Sequence, residues 1–139
     1  MSSGTHPLSS GVNGVTRGLV AQFLVGVALA TFGEFDPDAA SQSISHNIFF
    51  GLHVLIALSL VVGALILWFQ ARSLGVASLK GRASAGLASV VLALVGGVMI
   101  MGSSDFEHLS IFVMSVGFIL ALLIYGYWAV ELSLAGKKS

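Results

Sequence analysis

The stretch Arg72-Ser-Leu-Gly-Val-Ala-Ser-Leu-Lys-Gly-Arg82 holds three of the chain's six Lys and Arg residues, and it separates two long uncharged runs, 39–71 and 83–104. Two further uncharged runs, 18–33 and 109–130, flank them. A membrane-crossing helix needs about 20 consecutive apolar residues, so the basic stretch is a loop inside a series of four spans. The other bases, Arg17, Lys137 and Lys138, fall on the same side as this loop when the spans alternate in direction. The acids Glu34, Asp36, Asp38, Asp105 and Glu107 fall on the opposite side, and Glu131 alone sits with the bases. Loops that stay in the cytoplasm carry the excess of Lys and Arg. Both termini are therefore expected in the cytoplasm, with the acidic loops on the outer side of the membrane.

Composition agrees. Of 139 residues, 56 % are hydrophobic and 9 % charged, against about 25 % charged in soluble domains. Mean hydropathy is +0.99. The net charge is zero, which gives no reason to expect nucleic acid as a partner. Cysteine is absent, so thiolate catalysis, disulfide exchange and iron–sulfur clusters are excluded.

The expected fold class is all-α: an integral membrane four-helix bundle built of two hairpins. Residues 1–15 read as a Ser- and Gly-rich cytoplasmic tail. The transmembrane domain covers 16–134, with spans near 16–33, 46–70, 83–103 and 107–131, and 135–139 form a basic tail. Span one also resembles a secretory signal, with Ala28-Leu29-Ala30 as a cleavage-like site. Its removal would leave three spans, so retention is expected. Gly33 with Asp36-Pro37-Asp38 marks a turn, Ser45 a cap for span two, and Ser104 with Glu107 a capping box for span four. Trp68, Phe69, Tyr125, Tyr127 and Trp128 read as an aromatic belt at the cytoplasmic interface. A weak repeat relates the halves: a helix ending in Gly, an acidic loop, and a helix opening with His and Phe.

Chemistry rests on few residues. No Lys, Asp or Glu lies mid-span, so a Schiff base or a carboxylate proton relay is not expected. The histidines remain. His46 and His53 are seven residues apart on one face of span two, with Phe49, Phe50 and Ala57 beside them. His108 opens span four. A buried imidazole in lipid needs a partner, because an unpaired polar group there costs several kcal/mol. Gly96, Gly97 and Gly102 in span three permit close approach of a helix or a flat ligand, and Gly97 is expected to face one of these. Gln22 is expected to bond across helices, a quinone or lipid contact being the alternative. Ser59, Ser89 and Ser115 can satisfy themselves on their own backbone.

His53 and His108 near one membrane face suggest bis-imidazole ligation of haem b, with Phe50, His46 and Gly97 lining the slot. Two other readings stay open: interfacial histidines bonded to backbone or Ser, and a non-haem metal. The outer face offers no Lys or Arg for haem propionates, leaving Ser, Asn47, His46, backbone N–H groups or water.

The segments Val20-Ala-Gln-Phe-Leu-Val-Gly26, Phe50-Gly-Leu-His53-Val-Leu-Ile-Ala and Glu107-His108-Leu-Ser resemble a family of small, uncharacterised four-helix bacterial membrane proteins. More distantly, the pattern is similar to one half of haem A synthase and to b-type membrane cytochromes. The resemblance spans 17–133. It implies a haem near the outer surface, held by His53 and His108, in a protein of electron transfer or haem handling and not an enzyme of bond-making catalysis. The rival expectation is a cofactor-free accessory subunit of a larger respiratory or transport complex, or a homo-oligomer, in the lipid bilayer. A transporter is disfavoured by the lack of mid-membrane charge.

Overall fold

The structure is a computed structural model that describes residues 5–32, 44–102 and 107–136. It consists of four α-helices: α1 (Thr5–Phe32), α2 (Ile44–Ser73), α3 (Ala77–Gly102) and α4 (Glu107–Gly136). Their lengths are 28, 30, 26 and 30 residues. At about 1.5 Å per residue each is roughly 39–45 Å long, more than the ~30 Å hydrocarbon core. All four are long and apolar enough to span a membrane.

Each helix packs on its neighbour in the chain, and α1 also packs on α4, which closes a ring. Among the described residues α2 makes no packing contact with α4, nor α1 with α3, so these pairs lie diagonally opposite. The core runs along the ring's interior. Leu8, Val12, Val15 and Leu19 of α1 are buried, as are Leu60, Ala64, Leu67 and Ala71 of α2. Both sets repeat at i, i+4, i+7, i+11, the spacing of one helical face. The helices run antiparallel along this seam: a Cβ on Gly11 would meet Leu67, and one on Gly18 would meet Leu60. Large apolar side chains point outward from every helix, including Phe23, Leu55, Val98 and Leu123. In water such a surface would be an aggregation hazard; in a bilayer it is the lipid contact.

Four sequence expectations need correction. Residues from Thr5 onward are helical, so most of the segment read as an N-terminal tail is the first part of α1. The stripe Leu8, Val12, Val15, Leu19 buries one face and carries the helix past its Gly and Ser residues. The basic stretch is mostly helical too: α2 runs to Ser73 and α3 starts at Ala77, leaving a tight turn at Gly75, whose φ of 74° suits glycine. α4 likewise continues past the expected domain end at 134, to Gly136. Tyr125 and Trp128 do not belong to an interfacial belt. Both are fully buried and stacked, ring centroids 6.4 Å apart. Tyr127 and Phe69 are exposed, and the half-buried Trp68 donates its indole N–H to Ser84 Oγ at 3.0 Å.

Other expectations hold. The hydroxyls of Ser59 and Ser89 donate to the carbonyls of Leu55 and Ala85 on their own helices. Ser45, expected as the cap of span two, instead lies inside α2, and its Oγ donates to the Phe32 carbonyl at 3.4 Å, tying α2 to the end of α1. The turn at Asp36-Pro37-Asp38 and the serine of the Ser104–Glu107 box lie outside the described residues. Glu131, the acid among the bases, is paired with Arg82.

Candidate functional site

α1 and α2 bring together Gln22 and His53, two of the polar residues within the apolar runs. Gln22 is 8 % exposed and His53 half-buried. The Gln22 amide Nε2 lies 2.9 Å from His53 Nε2, so the amide N–H donates to the ring nitrogen. Sequence reasoning required a cross-helix bond from Gln22 and a partner for His53; each supplies the other. Such bonds within a bilayer contribute on the order of 1 kcal/mol.

Gly26 lies one helical turn beyond Gln22 on the same face of α1. A Cβ there would sit 3.4 Å from His53 Cε1 and 3.6 Å from Nδ1. The imidazole therefore rests against the bare backbone of Gly26, where an added methyl would make ordinary van der Waals contact with the ring. Next to Gln22, Phe23 stacks on Phe118 of α4, centroids 6.1 Å apart, which links α1 to α4 at this level.

The pair does not satisfy itself completely. Gln22 Oε1 and His53 Nδ1 are both buried without a hydrogen-bond partner. Leaving a buried polar atom unpaired costs about 1–3 kcal/mol. A ligating imidazole donates its second N–H to a fixed partner and turns a bare nitrogen to the metal. With the Gln22 N–H on Nε2 the neutral ring carries its proton on Nδ1, so His53 would hold a haem only with the Gln22 amide turned to accept from Nε2. Gly26 leaves unfilled the space beside the ring that a side chain would take.

The other expected site residues are placed as follows. His46, two turns earlier on α2, is half-buried and stacks on Phe50, centroids 6.0 Å apart and planes within 7°. That stack is the observed role of Phe50. His108 is exposed at the start of α4, on the helix diagonal to α2. The structure thus joins His53 to α1, while His108 stands on an element that does not pack directly on α2. Gly97 is half-buried and faces α4, where a Cβ would have Met114 Sδ at 3.8 Å. The closest approach belongs to its neighbour: a Cβ on Gly96 would lie 2.4 Å from the Met114 backbone nitrogen.

Among the described residues no three His, Asp or Glu side chains gather at one point. A haem asks only for axial ligands, because its own pyrrole nitrogens supply the rest. Sequence reasoning missed Gly26 as the surface under His53 and Phe118 as the partner of Phe23. The i, i+4 relation of Gln22 and Gly26 was the signal for the first.

Comparison with protein-family models, with curated proteins and with solved structures gives no match for this chain.

Proposed function

We propose that the chain is a multi-pass protein of the bacterial inner membrane that binds one b-type haem through His53 and serves in electron transfer or haem handling. The observation that supports this is the half-buried His53 ring within the apolar run of α2, held at Nε2 by Gln22, with Nδ1 unpartnered and left with a bare lone pair once the amide turns. The haem, when bound, supplies one-electron redox chemistry at its iron. The chain's own residues hold and orient the imidazole through Gln22, clear space beside it at Gly26, and screen the level from lipid through the Phe23–Phe118 stack. His108 is proposed as the second axial ligand.

The bundle is proposed as two hairpins, α1–α2 and α3–α4, with both termini in the cytoplasm. The antiparallel seams within each pair support the hairpins. Orientation rests on the six Lys and Arg, which all fall on one side; Glu131, the acid on that side, is paired with Arg82. A reporter fused after Ser139 is expected to be active only in a cytoplasmic assay. Periplasmic activity would invert the topology and put the histidines near the inner face.

A second reading, a cofactor-free accessory subunit, is favoured by the exposure of His108 on the helix diagonal to α2. One measurement separates the two. Detergent-purified protein, made with haem supplied, should show a sharp α band in the reduced-minus-oxidised spectrum. His53→Ala should abolish it while helical content persists. His108→Ala should convert a low-spin spectrum to high spin or remove it; an unchanged low-spin spectrum would exclude His108 as the ligand. Wild-type protein without any band sinks the haem reading and leaves the accessory one.

A further inference from the structure

The two unpartnered atoms at the site, Gln22 Oε1 and His53 Nδ1, belong to side chains already bonded to each other. An imidazole nitrogen that accepts a hydrogen bond carries no proton, so with the Gln22 N–H on Nε2 the ring proton sits on Nδ1. In that form neither ring nitrogen can ligate a metal: one is engaged and the other protonated. A half-turn of the amide changes this within the same volume. Oε1 then faces Nε2 and accepts a proton from it, and Nδ1 is left with a bare lone pair. Burial matters here. Gln22 is 8 % exposed, and with water largely excluded the amide's choice is not diluted by solvent competing for the ring.

We infer that Gln22 is the positioning residue of this site: it selects the tautomer of His53, and a half-turn of its amide converts the ring from a resting to a ligating form. Glutamine suits the position because it both donates and accepts without bringing a charge into the membrane. Glu or Lys there would carry a charge at large cost or fix one role. The first half of the inference concerns the protein alone. The second half rests on the haem reading.

The test is nitrogen NMR of histidine-labelled protein in detergent, with the His53 signals identified by their loss in His53→Ala. Wild-type protein without haem should show a single His53 tautomer, protonated on Nδ1. Gln22→Leu, close in size, should show a mixture of both tautomers, and Gln22→Met should agree with it, which guards against a folding artefact in either variant. The same tautomer population in wild type and both variants overturns the inference. In the haem arm, Gln22→Leu should change haem affinity and shift the midpoint potential, because the ligating ring loses the acceptor on its second nitrogen. Unchanged affinity and potential in a variant whose tautomer has relaxed overturns the second half alone. Wild-type protein that binds no haem removes the haem reading and the second half with it, while the nitrogen spectra still decide the first.

Discussion

Gly96→Ala is expected to destabilise the bundle by about 1–3 kcal/mol, the range for overfilling a packed core, whereas Gly97→Ala should change stability by less than about 0.5 kcal/mol. The two residues are adjacent, yet one step along a helix turns the side-chain direction by about 100°. A Cβ on Gly96 would lie 2.4 Å from the Met114 nitrogen and 2.8 Å from its Cα, both backbone atoms of α4. They cannot move without moving the helix. A Cβ on Gly97 would meet only the sulfur of Met114, at an ordinary 3.8 Å, and a methionine side chain adapts. Gly117 makes the reciprocal contact from α4, where a Cβ would lie 2.5 Å from Ala93 N and 2.8 Å from the Ser89 carbonyl oxygen. Gly117→Ala should therefore match Gly96→Ala. Close approach through small residues is how membrane helices gain packing energy when lipid gives no hydrophobic drive. Unfolding of the purified variants in a fixed detergent is the measurement. If Gly96→Ala proves as stable as Gly97→Ala, the α3–α4 seam does not run over Gly96.

This pair of glycines shows what the sequence reveals and what it withholds. Four spans were legible because lipid imposes length and composition on each helix separately. Their ends were less so. Charge and Gly content suggested a tail before residue 16 and a loop over 72–82, but a buried stripe beginning at Leu8 and a one-glycine turn at Gly75 extend the helices through both. The stripe's spacing was present in the sequence and was outweighed by composition. Which face of a span turns inward was hardly legible at all. A helix that is apolar all round shows no polar face to mark the outside, so the sequence pointed to Gly97 where the closest approach belongs to Gly96, and it did not separate Tyr125 from Tyr127.

The candidate site was legible in its parts. A polar side chain inside a membrane must find a partner, which singled out His53 and Gln22 separately. That they meet each other depends on the register between α1 and α2, set by contacts such as Gly18 against Leu60 and Gly63 against Val15. No single-helix pattern contains that register. The pairing of His53 with His108 rested on their expected nearness to one membrane face and on resemblance, and the structure places His108 on the diagonal helix without a direct α2–α4 seam. Spectra of the His108 variant, not geometry, will decide that ligand.

Trp128→Ala should be the more damaging of the aromatic substitutions, costing about 3–5 kcal/mol, the usual range for emptying a buried Trp site. Trp128 is fully buried near the C-terminal end of α4 and stacks on Tyr125, with planes 17° apart. Tyr125 in turn lies on α3 at Gly86, where a Cβ would come within 2.6 Å of its ring. Removing the indole would therefore open a cavity beside Tyr125 and loosen the α3–α4 seam. Transfer from water supplies little of this cost, because the alternative surroundings are also apolar. Lost dispersion contacts and the cavity supply it. Trp128→Phe should cost far less, about 1 kcal/mol, since the indole Nε1 is buried without a partner and its deletion breaks no hydrogen bond within the protein. Leu123→Ala, on the same helix but 64 % exposed, should stay within about 0.5 kcal/mol. Interfacial anchoring predicts a different order: an indole at the headgroup level uses its N–H, so Phe would be nearly as poor as Ala there. Unfolding of the three variants in one detergent separates the two accounts. A Trp128→Ala protein no less stable than Leu123→Ala would return Trp128 to the lipid boundary and remove it from the core.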